Sequence, residues 1–264
     1  MKFSTVVIDL DGTLLNSDKQ VSERNYNAIL ACHGQGMNIV FATARPPRTV
    51  KSFLREELLR IGSFVYYNGA YIDCKHTGIE HHEPIDSALT SEVLDYCLSS
   101  HADLDISLEV KDEWLSLKAY DYSTLTRIKG GPSVKTLEEL KSIDATKILF
   151  TGKMDMEALK ERFAARLNIV VTDNGELVQI SAINASKENA VAMLCQRLNV
   201  PLGEVIVFGD DYNDVGLFER CGWPVAMGNA VEHLKKLSQE VTDTNDADGV
   251  AKALERLLPT EFMR

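Results

Sequence analysis

The sequence predicts an α/β protein with a parallel-sheet core and an inserted α+β domain. Three observations carry this expectation. Apolar strands and amphipathic helices alternate from the N-terminus to about residue 80, which is the rhythm of a parallel sheet with helices on its faces. Between about 84 and 183 the segments DLDISLEV and EWLSLKAY alternate apolar with polar residues, as an antiparallel sheet with one wet face requires. From about Ser186 the first rhythm returns, so the core is expected over 1–83 and 184–264 and the insert over 84–183.

In order along the chain, TVVIDL (5–10) reads as a buried strand and SERNYNAILACHGQG (22–36) as a helix, capped by Ser22 and stopped near Gly34 and Gly36. MNIVFAT (37–43) is the second strand. RPPRTVKSFLREELLRIG then predicts one helix, with Pro46 and Pro47 in its first turn and Gly62 at its end. SFVYYNG (63–69) is the third strand. In the insert, TKILFTG, NIVVTD and ELVQIS add strands around the helix MEALKERFAARL. The returning core reads as helix KENAVAMLCQRL, strand EVIVFGDD, helix NDVGLFERC, short strand PVAM and terminal helices.

With 28 Lys and Arg against 39 Asp and Glu, the chain carries a net charge of −11, which argues against broad binding to nucleic acid or anionic membrane. A phosphate-bearing partner therefore needs local positive charge or a metal ion. The five cysteines are widely spaced and form no CxxC, so reduced thiols in a cytoplasmic protein are expected. The apolar run near the N-terminus is too short for a signal sequence, and no stretch is long enough to span a membrane.

The chemistry concentrates at predicted strand ends. Asp9 and Asp11 stand where the first strand runs out, and ligands of open parallel sheets bind beyond the carboxyl ends of the strands. Side chains two apart in extended chain share a face, so both carboxylates project towards one point, and Gly12 permits a tight turn after them. Adjacent carboxylates repel unless a cation or a shared proton intervenes. FGDDYND, at the end of another strand, adds Asp210, Asp211 and Asp214. Oxygen ligands converging from several strand ends suit a hard divalent cation such as Mg2+. Thr43 in FATAR and Lys187 in ASKENA add a hydroxyl and an amine where binding of a phosphoryl group needs them.

In order and spacing, DLDGTL, ATAR, Lys187 and GDDYND resemble the four motifs of the haloacid dehalogenase superfamily. NGA (68–70), AMGNA (226–230) and VTDTNDADGVAKAL (241–254) resemble secondary signatures of its Cof-type phosphatases, which carry a large cap. The resemblance runs through nearly the whole chain. It implies a Rossmann-like core, a substrate-reading cap and a Mg2+-dependent phosphatase of small phosphorylated metabolites, sugar phosphates first among them. By the same resemblance, Asp9 is the nucleophile that forms an aspartyl phosphate, and Asp11 the acid on the leaving oxygen and later the base on water. Mg2+ is then held by the Asp9 side chain, the Asp11 backbone carbonyl and Asp210, with Asp214 in support through water. Leu10, Gly12, Thr43, Ala44, Arg45 and Lys187 surround the phosphoryl group, and Asn213 positions Lys187 or the phosphate. Two departures stand out: Ala44 and Glu188 occupy positions where the family has glycine. A methyl group at 44 is expected to tighten the turn before Arg45, and Glu188 to place a negative charge near Lys187.

A phosphomutase of the same superfamily and a catalytically silent phosphate-binding regulator remain open alternatives. The first depends on a bisphosphorylated sugar, and the second binds without releasing phosphate. The expected partner is a small phosphorylated metabolite, with no nucleic acid and no membrane, in a monomer or weak homodimer. Trp114, Lys111 and Tyr120 are candidate substrate contacts in the insert. TNDADGVAKALE imitates a calcium loop but has Thr244 at its first position, so its acids are expected to cap a terminal helix. The cluster His76, His81, His82 reads as a solvated hairpin, since adjacent residues of a strand face opposite ways.

Overall fold

The structure is a computed structural model and describes residues 3–75, 77–100, 104–119, 131–172 and 176–257. His76 and Tyr120 lie outside the described residues. The chain divides into two compact units, one of Met1–Arg45, Thr49–His81 and Ser186–Arg264, the other of Pro46–Arg48 and His82–Ala185. Among the described residues no helix is long and apolar enough to cross a membrane.

The first unit is built on strands β1 (Thr5–Ile8), β2 (Asn38–Ala42), β3 (Gly62–Tyr66), β4 (Tyr71–Cys74) and β5 (Ile79–His82), joined later in the chain by β12 (Val205–Gly209), β13 (Trp223–Ala226) and β14 (Glu240–Val241). Their order across the sheet is β14-β13-β12-β1-β2-β3-β4-β5. From β14 to β3 every pairing is parallel, and β4 turns back antiparallel on β3. The central strands are apolar throughout because helices cover both faces of a parallel sheet: Val6, Val7, Ile8, Val40, Phe41, Val207 and Phe208 are fully buried. Ile8 stands opposite Phe208, so the residues after β1 and β12 leave the sheet side by side. That register brings the two acidic motifs together.

Helix α1 (Glu23–Gly34) starts where Ser22 Oγ accepts the N–H of Asn25 at 3.1 Å. The single helix expected after Pro46 is two, α2 (Pro47–Phe53) and α3 (Glu56–Ile61), and Gly62 both caps the end of α3, its N–H donating to the Leu58 carbonyl, and opens β3. The break is at Arg55, whose backbone is extended (φ −68°, ψ 154°). Tertiary contacts hold it there, since its guanidinium lies 4.4 Å from the centre of the Tyr26 ring and pairs with Glu23. Glu56 and Glu57 then fall in a first turn, where the helix dipole favours acids. The remaining helices of this unit are α7 (Lys187–Arg197), α8 (Val215–Arg220), α9 (Glu232–Leu237) and α10 (Gly249–Leu257).

The second unit contains α4 (Ser87–Ser100), β6 (Asp105–Val110), β7 (Glu113–Ser116), β8 (Ser133–Val134), α5 (Leu137–Lys141), β9 (Lys147–Thr151), α6 (Met156–Phe163), β10 (Leu167–Thr172) and β11 (Leu177–Ala182). Its sheet runs β10-β11-β9-β6-β7-β8. The antiparallel registers put Ile106, Leu108, Ile148, Phe150, Val178 and Ile180 on one face, all buried. Buried residues of the helices, among them Val93, Leu94, Leu140, Leu159 and Phe163, complete this core. Ser107, Glu109, Lys147 and Gln179 lie on the other face. Lys111 and Trp114 border it: the Lys111 N–H donates to Thr146 Oγ1 at 2.7 Å, and the Arg48 guanidinium lies 5.4 Å from the centre of the Trp114 ring.

Candidate active site

Lys187 is the first residue of α7, whose start is fixed by Ser186 Oγ accepting the N–H of Asn189 at 3.2 Å. Its buried Nζ donates to Asp9 Oδ1 at 2.6 Å and to Asp214 Oδ1 at 2.7 Å. The other oxygen of Asp214 accepts the backbone N–H groups of Asp210 (3.1 Å) and Asp211 (3.3 Å), which locks the turn after β12. Thr13 Oγ1 donates to Asp210 Oδ1 at 2.9 Å. Gly12 has φ 78°, and a Cβ there would sit 2.1 Å from Asp210 Oδ2, so this turn requires glycine twice over.

Carboxylate oxygens of Asp9, Asp210 and Asp214 all lie within 4.8 Å of one another, the one such acidic cluster among the described residues. Burial is the main reason the Asp9 carboxyl is pushed up to about 8; Asp214 and Asp210 add to the rise and Lys187 opposes it. Asp210 is pushed up to about 6, again chiefly by burial, with Thr13 opposing and Asp214 and Asp211 contributing. Burial alone would lower the Lys187 ammonium, but Asp214 and Asp9 more than reverse it and hold it charged. With all three carboxylates ionised, one ammonium leaves two negative charges unmatched, which together with burial is why Asp9 and Asp210 hold their protons more tightly without a cation. A hard divalent cation fits that deficit and that oxygen-only donor set.

Asp11, expected beside Asp9, turns its carboxylate elsewhere. Oδ1 accepts Lys19 Nζ at 2.8 Å and Arg45 Nη2 at 2.7 Å, and Oδ2 accepts Arg45 Nε. Burial favours the neutral acid, but these two cations outweigh it and hold Asp11 below the usual carboxylate range. Arg45, expected at the phosphoryl group, is therefore committed to Asp11, and its guanidinium lies 4.9 Å from the centre of the Phe53 ring. Thr43 is buried at the end of β2; its Oγ1 accepts the Arg45 N–H at 3.2 Å, and its carbonyl accepts the Asn68 N–H at 2.8 Å. Leu10 is buried, and its carbonyl accepts the Leu15 N–H at 2.8 Å.

Three further residues find their places here. Asn213, expected to position Lys187 or the phosphate, donates its Nδ2 to Asn68 Oδ1 at 3.1 Å, and the carboxylates bonded to Lys187 are those of Asp9 and Asp214. Ala44 has its backbone outside the left-handed region, so the Cβ that replaces the family's glycine there carries no left-handed strain. Glu188 does not act on Lys187. Its side chain lies over Gly216, where a Cβ would come within 2.3 Å of its carboxyl carbon, and the groups that raise Lys187 are Asp214 and Asp9.

Thr13 and Lys19 join the site beyond the residues expected of it, and Asn68 comes from the NGA signature. Thr13 belongs to DLDGT itself and was legible there. Lys19 reaches Asp11 only through a left-handed turn (φ 59°), for which the sequence offers no pattern.

An acidic strand-end cluster with a buried lysine, on a parallel sheet interrupted by a second α/β unit, defines a hydrolase of the haloacid dehalogenase type. Residues 6–254 match the family model for haloacid dehalogenase-like hydrolases, and the chain belongs to that family. It is an enzyme whose curated relatives are phosphatases. It is 32% identical to the phosphatase YwpJ of Bacillus subtilis, covering 96% of this chain and 99% of that one. It is 26% identical to 5-amino-6-(5-phospho-D-ribitylamino)uracil phosphatase YitU of the same organism, covering 94% and 95%. Among solved structures, TM0651 of Thermotoga maritima superimposes with a TM-score of 0.88 at 27% identity, covering 97% of this chain and 98% of that one.

Proposed function

We propose that the protein is a Mg2+-dependent phosphatase of small phosphorylated metabolites, sugar or polyol phosphates first among them, acting through an aspartyl phosphate on Asp9. The observation that carries the reading is the cluster of Asp9, half-buried Asp210 and Asp214 around Lys187, two charges short of neutrality when all three acids are ionised. Asp9, Asp210 and the carbonyl of Asp11 would hold the metal, with Asp214 behind them. When bound, the ion neutralises the phosphate and these carboxylates, so that Asp9 remains an anion able to attack.

The rest falls to this chain's side chains. Asp9 forms the new bond to phosphorus as the leaving oxygen departs, and water later breaks that bond. Lys187, held charged between Asp9 and Asp214, restrains the nucleophile and offers a cation to the phosphoryl oxygens. Thr43 supplies a hydroxyl at the end of the neighbouring strand. Asp11 moves the proton: it gives one to the departing oxygen and then, as the carboxylate that Lys19 and Arg45 favour, takes one back from the attacking water. Substrate choice we assign to the second unit, whose polar sheet face carries Glu109, Lys147 and Gln179. A polyol leaving group agrees with the ribityl phosphate in the name of the relative YitU.

The test is phosphate release from sugar phosphates, polyol phosphates, nucleotides and an aryl phosphate, with Mg2+ and with EDTA. Wild type should release phosphate only with Mg2+. Asp9→Asn should lower turnover by at least about a thousandfold with its thermal midpoint retained, because asparagine still accepts from Lys187. Release that survives EDTA or Asp9→Asn would overturn the mechanism.

A further inference from the structure

The chain from Gly12 to Gln20 folds back on itself before α1. The Asn16 N–H donates to the Gln20 carbonyl (3.0 Å), the Lys19 N–H to the Asn16 carbonyl (2.9 Å) and the Gln20 N–H to Asn16 Oδ1 (2.9 Å). This turn, with Lys19 left-handed, delivers the lysine to Asp11. Its anchors come from the far end of the sequence. Asn229 Nδ2 donates to the Gly12 carbonyl at 2.8 Å, while Asn229 Oδ1 accepts the Asn245 N–H at 3.0 Å. Asn245 Nδ2 donates to the Leu15 carbonyl at 2.9 Å. Asp246 accepts both the N–H and the hydroxyl of Ser17, each at 2.7 Å.

We infer that Asn229, Asn245 and Asp246 are positioning residues that clamp the Gly12–Gln20 loop and, through Lys19, orient the Asp11 carboxylate. The inference rests on Asp11 being the proton-transfer group of the proposed reaction. The side-chain types fit the work. An asparagine amide donates and accepts at once, so Asn229 joins the carbonyl of Gly12 to the N–H of Asn245, which a carboxylate or an apolar group cannot do. Asp246 receives two donors from one residue and needs only acceptors, and those bonds hold its carboxyl below the usual range. The clamp gives AMGNA and TNDADG a shared task. It also reassigns Asp246, an acid expected to cap a helix, to the loop.

Two readouts test it in the full chain: hydrogen–deuterium exchange over residues 12–20, and kcat and KM for a small aryl phosphate. Asp246→Ala and Asn245→Ala should speed exchange of the loop amides about tenfold or more and lower kcat about tenfold, with KM changed less than about twofold. Asp246→Asn and Ser17→Ala, each keeping part of the contact, should fall between and serve if the alanine variants fold poorly. Because the clamp acts through Lys19, Asn245→Ala combined with Lys19→Gln should be no slower than Lys19→Gln alone. Unchanged loop exchange overturns the clamp whether or not the wild type turns over. Multiplied losses in the double variant overturn the route through Lys19. A wild type that releases no phosphate sinks the phosphatase reading and the catalytic half of this inference. An active wild type beside clamp variants that keep its kcat sinks the inference alone.

Discussion

Lys147, at the start of β9, is a cation in a place that disfavours charge. It is buried on the polar face of the second unit's sheet, opposite Glu109, and donates to Gln179 Oε1 at 2.9 Å. Burial pushes its ammonium down from 10.5 to about 8, with Glu109 opposing. In the unfolded chain the amine takes up its proton near 10.5, and in the folded chain only near 8, so between these values the unfolded state binds more protons and stability rises with pH. Below pH 8 the folded state carries the full penalty, about 3 kcal/mol. Denaturant unfolding from pH 7 to 10.5 should therefore show wild type gaining stability relative to Lys147→Met, which removes the titrating group. Parallel curves for the two proteins would refute this. A lysine in an alternating strand gives no hint of such burial, whereas Asp9 and Lys187 were legible because their motifs carry them.

The turn Tyr67–Gly69 joins β3 to β4 and touches the start of α7. Tyr67 and Asn68 are both left-handed, and Gly69 follows with φ 106°. A Cβ at Gly69 would lie 2.1 Å from the Ser186 carbonyl oxygen, in backbone that cannot give way cheaply because it starts the helix carrying Lys187. Gly69→Ala should cost at least about 2 kcal/mol and lower kcat as Lys187 shifts. Gly36→Ala is the control: φ is 84° but nothing lies within 4 Å of the added carbon, so it should cost only the left-handed strain, about 1 kcal/mol. Equal melting points for the two variants would show that the close approach to Ser186 carries no weight. At this scale the sequence marked NGA as a signature, but the reason lies in helix α7, more than a hundred residues away.

Across the molecule, all three acids of the cluster belong to the first unit. A cation bound by them stabilises that unit only, by about 2.7 kcal/mol when Mg2+ is present at a hundred times its dissociation constant. Calorimetry with Mg2+ and with EDTA should move the unfolding of the first unit upward and leave that of the second in place. Asp210→Asn should erase most of the shift. Movement of the second unit's transition alone would put the metal elsewhere.

Alternation of strand and helix periods determined that the core is a parallel sheet, because a strand buried on both faces must be apolar throughout. The four motifs determined which acids stand at its strand ends and which lysine opens the helix beside them. Other features were decided by contacts between residues far apart in sequence. The break at Arg55 depends on Tyr26 and Glu23, and the partners of Asp11 depend on Arg45 and the turn that lifts Lys19. The assignment of Asp214 to Lys187, of Glu188 to Gly216, and of Asp246 to Ser17 came the same way. Local propensity reports periodicity and capping, whereas the partner of a charged side chain is set by which strand ends and loops the whole sheet brings within hydrogen-bond reach.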